Sequence, residues 1–136
     1  MAKIQLAYKY TGENHEEICN LLTKLKKILE LNGHEVYVPI LNLNRPKNKR
    51  ELFIDTLEKI KNQDVLISIV KSSEKSERML MEIGHAIGLK KKVIALLQKN
   101  INNTHLRELA DKVIEFDTIK DLDEILKKED ILNCLD

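Results

Sequence analysis

The 136-residue chain has no tryptophan, only 4% aromatic residues, four glycines, two prolines and two cysteines. So few aromatics leave little to stack on nucleobases of a polymer, which argues against single-stranded nucleic acid as the partner. The cysteines, Cys19 and Cys134, are far apart and outside any CxxC spacing, so neither a zinc site nor a disulfide framework is expected. No His pair has metal-ligand spacing, and no metal is expected. No apolar run approaches the roughly 20 residues that a membrane span needs. Met1 leads directly into a strand-like segment without a charged-then-apolar leader, so with two free thiols a reducing, cytoplasmic setting is expected. Excess charge of one sign is also missing: 23 Lys and Arg face 22 Asp and Glu, a net charge of +1. Such balance gives no electrostatic reason to invoke a nucleic-acid backbone or an anionic membrane.

What is present is an alternation. Short apolar runs read as strands at Lys3–Ala7 (KIQLA), Glu35–Ile40 (EVYVPI), Val65–Val70 (VLISIV), Val93–Leu97 (VIALL) and Val113–Phe116. Between them, apolar residues recur at helical spacing over His15–Leu31, Arg50–Asn62, Glu77–Leu89, Thr104–Lys112 and Thr118–Leu135. Gly33 is placed to stop the first helix, and Leu41–Lys49, with Pro46, reads as a loop. Strands that alternate with crossover helices predict a parallel sheet covered on both faces. The expected fold is a flavodoxin-like α/β three-layer sandwich in one domain, 1–136, with sheet order 2-1-3-4-5. Ligands of such sheets bind beyond the carboxyl ends of the strands at the switch point, here the loops Tyr8–Asn14 and Val70–Ser76.

Those loops lack the common phosphate fingerprints. YKYTGEN is neither GxGxxG nor GxxxxGK[ST], and Thr11 with Gly12 is a thin match to a flavodoxin phosphate loop, so no cofactor is expected. A receiver domain would carry an acid at the carboxyl end of the third strand, where this chain has Ile69-Val70-Lys71.

The helix from Glu77 carries the most unusual pattern. At about 100° per residue, Met79, Ile83, Ala86 and Ile87 form an apolar stripe, and Glu82 falls within it or at its edge. A carboxylate turned toward a sheet is costly without partners or a purpose, although its stem could also pack while the head reaches water. Gly84 and Gly88, four residues apart, predict close packing of this helix on a neighbour.

The segment Asp64-Val-Leu-Ile-Ser-Ile-Val, then Ser76, Glu82-Ile-Gly84-His-Ala86 and Lys92-Val-Ile-Ala-Leu resembles the nucleoside 2-deoxyribosyltransferase family, with its E-[LI]-G-x-A helix and GKPVI-like strand. Lys3–Tyr8 with Gly12 resembles that family's first strand and loop. The resemblance implies cleavage or transfer at the N-glycosidic bond of a nucleoside or its 5'-monophosphate, with Glu82 as the nucleophile. It implies a homodimer or larger homo-oligomer, and it places Ser76 against the sugar 5' end. Ser76 is equally readable as a helix cap alone. Ser73, Tyr8, Tyr10 and Gly12 lie in the switch-point loops and join the candidate substrate contacts; the tyrosines are also readable as ordinary loop residues.

Departures from the family pattern are specific. The glycines of its S-x-G-x-G-x-E turn are replaced by Arg78 and Leu80, and Arg78 either reaches a phosphate or stays at the surface. The family's acid in the second helix falls on Thr56, with Asp55 one residue off register as the candidate acid. The rival readings are a non-catalytic nucleotide sensor on the same fold and a receiver-like interaction module.

Overall fold

A strand as uniformly apolar as Val65–Val70 must be covered on both faces, and in the computed structural model all six of its residues are buried. The structure describes residues 1–10, 12–42, 48–128 and 131. Thr11, Pro46 and Cys134, and the predicted last helix beyond Lys128 apart from Ile131, lie outside the described residues.

The elements run β1 (Lys3–Tyr8), α1 (His15–Leu31), β2 (Glu35–Tyr37), α2 (Lys49–Ile60), β3 (Val65–Val70), α3 (Glu77–Gly88), β4 (Lys92–Gln98), α4 (Leu106–Leu109), β5 (Lys112–Phe116) and α5 (Ile119–Lys128). The five strands pair in parallel in the order β2-β1-β3-β4-β5, as the alternation predicts. One core lies between the sheet and α1 and α5, built on Ile4, Leu6, Leu22, Ile67, Leu96 and Leu122. The other lies under α2, α3 and α4, built on Ala7, Leu66, Val70, Met79, Ile83 and Leu97.

Two boundaries and one buried stripe differ from expectation. The second strand ends at Tyr37, and Pro39–Asn42 turns into a 3-10 segment, because Pro39 has no N–H for a sheet ladder. The predicted helix Thr104–Lys112 shrinks to Leu106–Leu109. Asp111 is drawn into the sheet instead, its N–H donating to the Val93 carbonyl at 2.8 Å while its Oδ2 accepts from Val93 N at 2.8 Å. The α3 stripe is Met79, Glu82, Ile83 and Ala86, whereas Ile87 is exposed.

Asp64 repeats the Asp111 arrangement two strands earlier. Its N–H donates to the Lys3 carbonyl at 2.7 Å, and its Oδ2 accepts from Lys3 N at 2.8 Å. It secures the start of β3 beside β1, as its position before the strand predicts. α1 is capped by Asn14, α2 by Asn48 and α3 by Ser76, each through a side chain that accepts a hydrogen bond from the third helical residue. Gly33 follows α1 with φ +88°, a left-handed conformation that glycine adopts without strain.

Candidate active site

α3 leaves the carboxyl end of β3 and runs back over the sheet, so the stripe it buries decides which groups face β1 and β3. Glu82 belongs to that stripe and is 4% exposed. Burial pushes its carboxyl from 4.5 up to about 7, with the nearby Arg78 guanidinium pulling in the opposite direction. A carboxyl poised near neutrality in an apolar wedge is the kind of group that catalysis uses.

Arg78 stands one helical turn before Glu82, with Nε 3.9 Å from Glu82 Oε1. Its Nη2 donates to Thr56 Oγ1 at 3.4 Å, and its guanidinium lies 5.5 Å from the centroid of the Phe53 ring. The side chain is still 49% exposed, so the guanidinium meets solvent while the carboxylate beside it is buried. Thr56 is buried, with its hydroxyl also donating to the Leu52 carbonyl at 2.9 Å. Asp55 is half-buried on the neighbouring face of α2. The residue that meets Arg78 and points inward is thus Thr56, the position where the family's acid was expected.

Tyr8 ends β1 close to this group. Its hydroxyl accepts from Ile40 N at 2.8 Å, tying the end of β1 to the segment after β2. Burial pushes its phenol above the ordinary range; the Ile40 N–H opposes that rise and the Glu82 charge adds to it. Tyr8, Arg78 and Glu82 therefore share one electrostatic neighbourhood. Tyr10 does not join them: it is exposed, and its hydroxyl is hydrogen-bonded to His15 Nδ1 at the start of α1.

Above the carboxyl ends of β1 and β3 lies a second feature, which spacing in the sequence does not signal. Lys9, Glu13, Lys71, Ser72 and Glu74 line a crevice floored by Ile18, Ile69, Val70 and Met79. Lys71 Nζ is 3.1 Å from Glu13, and Lys9 Nζ is 3.6 Å from Glu13 and 3.5 Å from Glu74. The lattice links the loop after β1 to the loop after β3, across the switch point. Gly12, at φ +82°, allows the first loop to turn beside Lys9. Ser76 is half-buried beside this loop and accepts from Met79 N at 3.2 Å. Ser73 is exposed, its carbonyl accepting from Asn103 Nδ2 at 3.0 Å. Only the loop positions could be read in advance; Lys9 and Lys71 become neighbours through the pairing of β1 with β3.

Gly84 and Gly88 face outward, and a Cβ built on either meets nothing within 4 Å. Among the described residues, then, nothing packs closely on either glycine, contrary to the expectation. Leu80, Met81 and Ile87 are exposed beside them. Among the described residues there is no cluster of His, Cys, Asp and Glu able to hold a metal ion, and no helix long and apolar enough to cross a membrane.

Comparison with known proteins joins this geometry to a lineage. No curated protein matches the chain. Among solved structures, a CMP N-glycosidase from Clostridium botulinum superposes with a TM-score of 0.71 at 21% identity, over 93% of this chain and 98% of that one. A 2-deoxyribosyltransferase from Bacillus psychrosaccharolyticus gives 0.71 at 22% identity, over 96% and 93%. A response regulator receiver domain protein from Clostridium thermocellum gives 0.56 at 23% identity, over 94% and 93%. At these identities the likeness is one of fold. The family model for nucleoside 2-deoxyribosyltransferase, however, matches residues 10–116, which run from the loop after β1 through the Glu82 helix to the end of β5. The chain belongs to the nucleoside 2-deoxyribosyltransferase family.

Proposed function

We propose that this chain, acting as a single domain, cleaves or transfers at the N-glycosidic bond of a nucleoside or its 5'-monophosphate, with Glu82 as nucleophile. The observation that carries the reading is the buried Glu82 carboxyl, pushed up to about 7 and set beside Arg78 at 3.9 Å. Breaking a glycosidic bond builds positive charge at the anomeric carbon, and a fixed carboxylate stabilises that charge far better in a dry wedge than in water. A Glu82 oxygen bonds to the anomeric carbon as the C–N bond breaks. The base leaves with the bonding electron pair and is protonated, and Asp55 is the residue proposed to supply that proton. Water or a second base then attacks the glycosyl ester, which restores the Glu82 carboxylate.

The 5' end of the ligand is proposed to lie toward Ser76, Ser73 and Gly12, with Arg78 and the lysines of the switch-point crevice supplying positive charge. Tyr8 forms the wall at the end of β1, and Tyr10 stands at its outer edge. A homodimer or larger homo-oligomer is proposed to form through the outer face of α3, where Leu80, Met81 and Ile87 flank two glycines that allow close approach. The balanced charge and the free Cys19 thiol suit a cytoplasmic enzyme of nucleotide metabolism.

The test is direct. Nucleosides and their 5'-monophosphates are incubated with the chain, and free base is separated by chromatography. Release that vanishes in Glu82→Gln supports the reading. Tight nucleotide binding without release indicates a sensor instead, and no binding indicates an interaction module.

A further inference from the structure

Among the described residues, one buried side-chain atom has no hydrogen-bond partner: Gln5 Oε1. Gln5 is 0% exposed and lies in β1, between β2 and β3. Its Nε2 donates to the Thr56 carbonyl at 3.2 Å. Flipping the amide would set oxygen against oxygen there, so the orientation is fixed and Oε1 is left as the open acceptor. A buried acceptor without a donor is costly, and its presence in a folded protein asks for an explanation.

Its location supplies one. Gln5 shares a sheet face with Ala7, which packs with Met79, Ile83 and Ala86 of α3, the stripe that holds Glu82. Thr56 holds the Gln5 amide through its carbonyl and the Arg78 guanidinium through its hydroxyl, and Arg78 in turn neighbours Glu82. Gln5 and Glu82 thus flank the same Thr56–Arg78 pair. Of these four residues only Arg78 is exposed, and its contacts to Thr56 and Glu82, at 3.4 Å and 3.9 Å, are long. As the exposed member of the group, it is the side chain best placed to swing outward.

With the anomeric carbon at Glu82, the hydroxyl nearest to it on a ribose is the 2'-hydroxyl, a donor. We propose that Gln5 Oε1 accepts a hydrogen bond from that 2'-hydroxyl, so that the site selects ribonucleosides or ribonucleotides over their 2'-deoxy counterparts. The inference rests on the reading of Glu82 as the group facing the anomeric carbon. Its logic is that a site with a buried polar group rejects the analogue that leaves that group unpaired.

The experiment compares kcat/KM for base release from the four common ribonucleoside 5'-monophosphates and their four 2'-deoxy counterparts. It uses the full chain, Gln5→Leu and Glu82→Gln. The expected ribose-to-deoxyribose ratio is about 10- to 100-fold in the unaltered chain, falling toward one in Gln5→Leu. A ratio of one or below in the unaltered chain overturns the inference. So does a ratio that Gln5→Leu leaves untouched while both series fall together, since Gln5 would then serve Glu82 rather than the sugar. If Gln5→Leu does not give a cooperative melt, Gln5→Met, of similar length and with an apolar tip, reads the same ratio. If the unaltered chain releases no base from any of the eight compounds, the glycosidic reading is what fails. Calorimetric binding of the same eight then decides the Gln5 inference: tighter binding of the ribose series supports it, and equal, weaker or no binding overturns it.

Discussion

Replacing Glu82 with glutamine is expected to stabilise the fold, and to do so increasingly as pH rises. The carboxyl is buried under α3, and burial raises it from 4.5 to about 7. Between those two values the folded chain keeps a proton that the unfolded chain has released. Stability therefore falls through that window as pH rises, and the deficit is complete above about pH 7. At about 1.4 kcal/mol for each pH unit, the wild-type chain gives up on the order of 3 kcal/mol. That is a large share of the 5–15 kcal/mol that typically holds a domain together. Glutamine has nearly the same shape and never ionises. Urea unfolding followed by circular dichroism, at intervals from pH 4 to pH 8, gives the stability of both chains. Whatever their difference at pH 4, it should widen in favour of Glu82→Gln by about 3 kcal/mol at pH 8. Parallel curves across that range would refute the reasoning, because they would mean that the carboxylate is solvated in the folded state. A gain in stability that abolishes base release would mark Glu82 as a residue retained for chemistry at the expense of stability.

Two further outcomes follow from the same neighbourhood. The rate of base release should rise with pH through an acid limb near 7, as Glu82 ionises. Screened as fully as in water, a unit charge 3.9 Å away is worth about 1 kcal/mol, so Arg78→Met should move that limb upward by at least roughly 0.7 pH unit; a limb that stays in place would show that Arg78 does not act on Glu82. On the outer face of α3, Met81→Glu with Ile87→Glu should convert an oligomer to monomers by light scattering, and an unchanged mass would place the subunit contact elsewhere.

The sheet order could be read from the sequence because parallel strands buried on both faces leave unbroken apolar runs, and VLISIV and VIALL are such runs. The inward position of Glu82 was legible for a related reason, its phase with Met79, Ile83 and Ala86. The same periodicity misassigned Ile87. It lies four residues beyond Ile83, but the buried stripe is centred between Glu82 and Ile83, and Ile87 turns outward with Gly84 and Gly88. The proximity of Arg78 to Glu82 was implicit in their i, i+4 spacing. Contacts made across the sheet left no such trace. Gln5 was visible only as a polar residue inside a strand, and its partner Thr56 is 51 residues away. Tyr10 fell in the right loop, but that its hydroxyl is engaged by a histidine five residues later on α1 was not legible.

Asp64 and Asp111 do one job twice, each stapling the amino end of one strand to an amide and carbonyl at the start of the neighbouring strand. Both staples lie at the rim opposite the candidate site. A slip of either strand by one residue would break two hydrogen bonds and turn every side chain of that strand to the wrong face. With alignment locked at that rim, the far rim is free to diverge. Arginine and leucine could then replace the glycines of the turn ahead of Glu82 without unsettling the strands beneath, so new specificity can evolve on an old chassis.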